Sequence, residues 1–313
     1  MALTGQTFYL GFEPALMAFL QTHIPQGLIT VISWFSMLGE ALLMILVLGI
    51  FYWGLDKDKG QKIGLIVLTG ITWNPMIKNL FLRRRPYFDH ASVRILRVVE
   101  PEADAFDIQA QGYSFPSGHS TNAVSLYGAL ARYMRGRLFR VLAFVVPLLV
   151  GFSRVIVGAH YPTDVLAGYL LGLLALWLIP LLDRTIKSRP LFYGLILLSA
   201  LPGLLYCRSE DYFSSLGMLV GLLLSIPFEK RVVQFSSTRH PLKIALRTMG
   251  GVLLFLALNT VCKMPFSSDF LASGSQAALY VRMLRYALVV FATLGLYPMA
   301  FAPCERKLFS RAS

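Results

Sequence analysis

Apolar residues in this chain come in blocks, each bounded by a short polar or basic run. The blocks are roughly 20 residues long, the length that crosses a ~30 Å hydrocarbon core as a helix. The pattern therefore predicts an all-α protein, a polytopic transmembrane helical bundle of about nine spans. The first five are expected at about 33–54, about 63–82, from near His119 to the basic run ARYMRGRLFR, about 139–157 and about 162–182. The rest fall at about 190–206, 212–228, 242–261 and 280–302. Residues 8–22 (FYLGFEPALMAFLQT) are amphipathic and too short to span, and are expected as an interfacial helix. Three regions follow: an N-terminal interfacial segment over 1–32, a transmembrane core over 33–182, and a C-terminal transmembrane extension of about four helices over 183–313.

Composition agrees with this class. Of 313 residues, 56% are hydrophobic and 14% charged, and mean hydropathy is +0.62. A soluble domain would carry about a quarter charged residues. The formal charge of +13 sits largely in short loops between spans. Placing DKDKGQK, RGRLFR, DRTIKSR, EKRVVQFSSTR and CERKLFSRAS on one side makes that side cytoplasmic. An odd number of spans then leaves the N-terminus outside, and residues 1–56 contain no Lys or Arg. No interleaved aromatic and basic patch marks a nucleic-acid surface, so no nucleic-acid partner is expected. Cys207, Cys262 and Cys304 have no C-x-x-C or metal-ligand spacing and are expected as free thiols. The N-terminus lacks the basic region of a cleaved signal and is read as mature sequence.

The opposite face collects unusual residues for a membrane protein. Lys78 and Arg85 end the second span in KNLFLRRRP; seven helical residues apart, they are expected to share a face about 10 Å apart along the axis. PSGH (116–119) opens the third span, and SRVIVGAHYPTD (153–164) joins the fourth to the fifth. Lysine and arginines held in one dry site suit a multivalent oxyanion, because guanidinium forks match phosphate geometry. Ser117 and Gly118 begin a helix, so their N–H groups face an anion, and Gly118 permits close approach. Of two histidines, one can attack phosphorus as neutral imidazole while the other protonates the leaving oxygen. Asp164, four residues beyond His160, can orient that imidazole and stabilise its cation. Cationic side chains can neutralise the developing charge, so neither a metal nor another cofactor is expected.

These segments resemble the signature of the type 2 phosphatidic acid phosphatase superfamily: K-x6-RP, PSGH and SR-x5-H-x3-D. Here they read Lys78 to Arg85-Pro86, Pro116-Ser117-Gly118-His119, and Ser153-Arg154 to His160 to Asp164. The resemblance implies a catalytic core within 33–182, with His160 as the nucleophile that forms a phosphohistidine, Asp164 as its partner and His119 as general acid. It also implies phosphate binding by Lys78, Arg85, Ser117, Gly118 and Arg154. The longer outline looks like glucose-6-phosphatase and sphingosine-phosphate phosphatases.

The expected function is therefore metal-independent hydrolysis of a lipid phosphate or diphosphate at an extracytoplasmic site. Substrates would be polyprenyl diphosphate, phosphatidate or a sphingoid phosphate, with the tail left in membrane lipid. The expected location is a bacterial inner membrane, or the ER membrane with a luminal site in a eukaryote. Alternatives are a phosphatase of a soluble sugar phosphate, a lipid carrier that binds phosphate without cleaving it, and a vanadium-dependent haloperoxidase, a soluble class the spans weigh against. Outside the signature, Arg83 and Arg84 are expected to face headgroups or the loop. His23, His90 and His240 are expected in solvent or at the interface. Glu40 is either functional or paired with an arginine such as Arg282 or Arg285. The acidic residues of the 87–115 loop read as a solvated face, and Tyr87, Phe88 and Phe115 either wall the site or anchor at the interface.

Overall fold

The computed structural model describes residues 5–100 and 102–304; the expected basic segment CERKLFSRAS lies outside them from residue 305 onward. The described residues are helical, apart from turns and one isolated bridge between Gln6 and Arg83. In order the helices are α1 (Glu13–His23), α2 (Gln26–Trp34), α3 (Ala41–Gly49), α4 (Lys57–Phe81), α5 (Pro86–Asp89), α6 (Ile108–Gln111) and α7 (Gly118–Tyr133). After these come α8 (Arg137–Ile156), α9 (Pro162–Thr185), α10 (Arg189–Ala200), α11 (Glu210–Phe228), α12 (Pro241–Val261), α13 (Ser268–Ala272) and α14 (Gln276–Phe291). Contacts group the chain into two units, Met1–Leu43 with Trp73–Leu178, and Met44–Thr72 with Ile179–Ser313.

Four helices among the described residues are long and apolar enough to cross a membrane: Arg137–Ile156, Pro162–Thr185, Pro241–Val261 and Gln276–Cys304. A fifth arises if the pair Glu13–His23 and Gln26–Gly39, bent by 114°, is one broken span. Nine apolar blocks thus yield fewer spanning-length helices than expected. The reasons are local. The first expected span, 33–54, is interrupted where the 3-10 turn Phe35–Gly39 ends and Glu40 adopts an extended conformation. The third is only the 16 residues of α7, rich in polar positions such as Ser120, Thr121, Asn122 and Ser125.

The first unit places the motifs. Helix α1 turns one stripe inward: Glu13, Met17 and Gln21, spaced by four, are all buried. Pro25 lacks the N–H to continue α1 and breaks the chain there. Gln21 then ties the 87–115 loop to α8, donating to Arg94 O at 2.8 Å and Ile156 O at 2.9 Å. The segment expected at the membrane surface is therefore partly core. Helices α7 and α9 approach closely at Gly168 and Gly172. A Cβ on Gly168 would stand 2.5 Å from Ser117 O, and one on Gly172 would stand 2.8 Å from Val124 Cβ. Such small-xxx-small spacing is how membrane helices bring backbones together.

The second unit uses the same device. Gly217 and Gly221 of α11 face α14, where added Cβ atoms would meet Met283 O at 2.2 Å and Ala287 O at 2.7 Å. Glu229 is fully buried and paired with Lys57 at 2.6 Å, while Trp53 Nε1 donates to Thr293 O at 3.0 Å. Cys207, Cys262 and Cys304 are free thiols.

Candidate active site

All eight expected site residues lie in the first unit. The geometry of the first motif differs from the expectation. Helix α4 ends at Phe81, and Leu82 has a left-handed φ of 48°, so the chain turns out of the helix before Arg85. Arg85 is extended, as a residue before proline prefers, and does not share a helical face with Lys78. The turn is what buries Arg85, which is 3% exposed. Its guanidinium donates to Gln111 O (2.7 Å from Nη2), to Gly112 O (3.0 Å from Nε) and to Ala159 O (3.0 Å from Nη1). The 87–115 loop is thus part of the site. Its organiser is buried Gln111, whose amide accepts from Val99 and Glu100 N–H and donates to the Glu100 and Asp104 carbonyls.

The second motif starts α7 as expected. Ser117 is the N-cap, its hydroxyl accepting from Ser120 N–H at 3.4 Å. Its own N–H, expected to face an anion, instead donates to Asp164 O at 2.9 Å, which locks this loop to the first turn of α9 and takes that N–H out of the set open to an anion. His119 is half-buried on α7, its backbone packed against Gly39 so closely that a Cβ there would lie 2.8 Å from His119 O.

The third motif leaves α8 through Gly158, whose φ of +81° and contact with Arg94 O, 2.3 Å from where a Cβ would sit, admit only glycine. Arg154 is 2% exposed and its Nε has no hydrogen-bond partner among the described residues. His160 is 2% exposed, with Nε2 3.5 Å from Arg85 Nη1 and Nδ1 3.5 Å from Asp164 Oδ2. The second distance is long for a hydrogen bond, as catalytic contacts often are before substrate tightens them. Burial, then the positive charges of Arg85, Arg154 and Lys78, holds the imidazole well below the usual histidine range, which favours its neutral form. Arg85 can only donate, so its approach to Nε2 fits the tautomer with the proton on Nδ1, on the side of Asp164.

Several residues fall elsewhere than expected. Arg83 does not face headgroups: it is 1% exposed and pairs with Asp164 Oδ1 at 2.7 Å and Glu13 Oε2 at 3.2 Å. Leaving the helix at Leu82 points it inward. Arg84 does face the loop, pairing with Asp89 at 2.6 Å, and bonds Thr7. Glu40 pairs with Arg97 at 2.8 Å, not with Arg282 or Arg285, because the break at Gly39 brings it to the loop. Arg282 instead pairs with Glu210. His90 is packed edge-on between Tyr9 and Tyr161 rather than solvated. Glu100, Glu102, Asp104 and Asp107 of the loop are exposed, as expected of a solvated face, and Asp104 and Asp107 also accept from Phe106 and Ala110 N–H, bracing the loop. Beside the site, a cavity of about 390 Å³ is lined by Glu40, Arg97, His119, Arg154 and residues 95–99.

Sequence reasoning missed Arg83, Glu13, Gln111 and Gly168. The GYLLG spacing of Gly168 and Gly172 was a readable signal, and so was the i, i+4, i+8 stripe of Glu13, Met17 and Gln21. Nothing local in the sequence signals Gln111.

Buried Arg85 and Arg154 gather about the buried imidazole of His160, with His119 nearby, on a helical membrane scaffold. The PAP2 superfamily (type 2 phosphatidic acid phosphatases) model matches residues 61–187, and a second model, the transmembrane extension of PAP2 superfamily phosphatases, matches 213–307. Phosphatidylglycerophosphatase B of Bacillus subtilis is 32% identical over 155 residues, 47% of this chain and 68% of the relative. Undecaprenyl-diphosphatase BcrC of the same organism is 28% identical over 132 residues, 42% of this chain and 62% of that one. A crystal structure of a transmembrane PAP2-type phosphatidylglycerolphosphate phosphatase from Bacillus subtilis is 28% identical, covers 56% of this chain and 86% of that chain, and has a TM-score of 0.44. The chain belongs to the PAP2 superfamily. Its relatives are membrane lipid phosphatases and diphosphatases, and it is a multi-pass membrane protein with bacterial homologues.

Proposed function

We propose that this protein hydrolyses a lipid phosphate or diphosphate through a phosphohistidine on His160, at the extracytoplasmic face of a bacterial inner membrane. The observation that carries the reading is the setting of His160: a buried imidazole between Asp164 and Arg85. A carrier needs the cations but has no use for a nucleophile oriented this way.

In the first step His160 Nε2 forms a bond to phosphorus while the bond from phosphorus to the leaving oxygen breaks. His119 supplies the proton that oxygen needs; burial and then the Arg154 charge disfavour its cation, so it takes up that proton once the substrate's negative charge has entered the site. Arg85, Arg154 and Lys78, with the Gly118 N–H at the start of α7, bind the phosphoryl oxygens and stabilise charge in the transition state. Asp164 offsets the positive charge that grows on His160. Water then attacks the phosphohistidine, His119 takes its proton, and inorganic phosphate leaves. The cavity beside His119, lined also by Glu40 and Arg97, offers polar space for the remainder of a headgroup leaving through His119.

The test is phosphate release by purified protein in detergent with EDTA, using polyprenyl diphosphate, phosphatidylglycerophosphate, phosphatidate, sphingosine phosphate and glucose 6-phosphate. Turnover of a lipid substrate that His160→Ala abolishes is the expected result. Preference for glucose 6-phosphate would move the reading to a sugar phosphatase. Equal binding by both proteins without turnover would make it a carrier.

A further inference from the structure

We propose that Arg83, outside the signature, is a positioning residue for the reaction, and that the N-terminal segment through Glu13 is a built-in part of the active site. The inference rests on the phosphohistidine reading above.

Four side chains carry it. Arg83 Nη1 bonds both Asp164 Oδ1 and Thr163 Oγ1 at 2.7 Å, and Nη2 reaches Glu13 Oε2 at 3.2 Å. Glu13 Oε1 accepts from the Thr163 N–H at 2.8 Å and its hydroxyl at 2.7 Å, and Oε2 accepts from the Leu10 N–H at 2.8 Å. Exposure is 1% for Arg83 and zero for Glu13 and Asp164. The guanidinium is stacked between the rings of Tyr161 (3.9 Å to its centroid) and Phe8 (4.6 Å). A fork held on two carboxylates and between two rings has one orientation.

That orientation decides how Asp164 meets His160. Arg83 occupies Oδ1, the Tyr161 N–H occupies Oδ2 at 2.8 Å, and this leaves Oδ2 turned to His160 Nδ1. Charge agrees with the geometry. Two carboxylates and one guanidinium sum to one negative charge, which balances the one positive charge His160 gains when it attacks. Without Arg83, two buried carboxylates would face each other uncompensated, an arrangement that costs several kcal/mol or takes up a proton.

The aim of Arg83 depends in turn on the N-terminal segment. Gln6 N–H donates to Leu82 O at 2.8 Å and Gln6 O accepts from Arg84 N–H at 2.9 Å, bracketing the left-handed Leu82. A leucine rarely holds that conformation unless its surroundings over-determine it. Residues 6–13 therefore grip the turn from one side and the guanidinium from the other.

The experiment compares wild type, Arg83→Met, Arg83→Lys, Asp164→Asn and the double variant Arg83→Met/Asp164→Asn by kcat, KM and thermal unfolding in detergent. Arg83→Met is expected to lose on the order of 100-fold in kcat, the effect of misplacing a catalytic group by about 1 Å, with KM within about threefold. Arg83→Lys keeps the charge but not the fork, and should recover part of the loss. On the Asp164→Asn background, Arg83→Met should cost at most about threefold more, since coupled residues are not additive. Should Arg83→Met fail to fold, Arg83→Lys carries the test, with a loss in kcat at unchanged KM expected. Losses that add fully in the double variant, or an Arg83→Lys protein with lowered stability but wild-type kcat, would overturn the inference. Wild type without turnover would instead contradict the phosphatase reading, and the inference with it.

Discussion

Gly168 offers the sharpest test of how the fold positions the site. A Cβ at this position would lie 2.5 Å from Ser117 O, 2.8 Å from Ser120 Cβ and 3.3 Å from Thr121 N. Comfortable contacts begin near ~3.5 Å, so Gly168→Ala must push the start of α7 from α9 by roughly 1 Å. The displaced atoms are those of the PSGH loop, which we propose binds phosphate. Ser117 N–H bonds Asp164 O at 2.9 Å, and an extra ångström would break that bond. Overpacking of this kind costs about 1–3 kcal/mol of stability, and moving a binding loop by about 1 Å costs on the order of 100-fold in rate. Gly172→Ala is the matched control. Its Cβ would lie 2.8 Å from Val124 Cβ and 2.9 Å from Thr121 O, one helical turn farther from Ser117. Both variants should lose similar stability in a thermal melt in detergent. Phosphate-release assays should show the large loss in kcat/KM for Gly168→Ala only. Equal kinetic losses in the two variants, or wild-type kinetics for Gly168→Ala, would refute the idea that this approach sets the loop.

Other consequences can be measured alongside. Because burial and neighbouring cations hold His160 below the usual histidine range, its active neutral form is present above that lowered pKa and is lost only as pH falls through it. The acid limb of kcat/KM should therefore lie below about 6.5, and a limb at or above that value would contradict the assignment. Arg97→Met removes the partner of Glu40 beside His119 and leaves a carboxylate 36% exposed at the leaving-group cavity. It should lower kcat/KM about tenfold or more for a substrate whose leaving group is anionic, such as a diphosphate, and less for phosphatidate. Equal effects on both would remove this pair from headgroup recognition.

The three motifs were legible because their chemistry is local. PSGH is a helix start in any context, and His160 and Asp164 sit on one short connection. The membrane class was legible from block length alone. Errors arose where a helix was extrapolated past its end. Lys78 and Arg85 were given one helical phase, but α4 stops at Phe81, and the turn that carries Arg85 to the Gln111 carbonyl also buries Arg83. Residues 8–22 read as an interfacial helix, and nothing local marks Glu13 as buried because its partner, Arg83, lies 70 residues away. Glu40 was sought a partner among span arginines, while Arg97 sits in a loop without periodicity. Among the described residues fewer helices than nine have spanning length and apolarity, in part because polar residues in α7 and the break at Gly39 shorten the apolar runs.

The central claim is the covalent intermediate on His160. Protein mixed with a substrate labelled with ³²P in the scissile phosphate, quenched in base within milliseconds, should carry the label on the wild type. A phosphoramidate bond survives base and is lost in mild acid, so the label should wash out at low pH. His160→Ala should carry none, while His119→Ala, still able to attack but poor at protonating the leaving group and at activating water, should be labelled slowly and keep its label. Wild type that turns over with no label at any quench time, or His160→Ala that labels as the wild type does, would contradict the account.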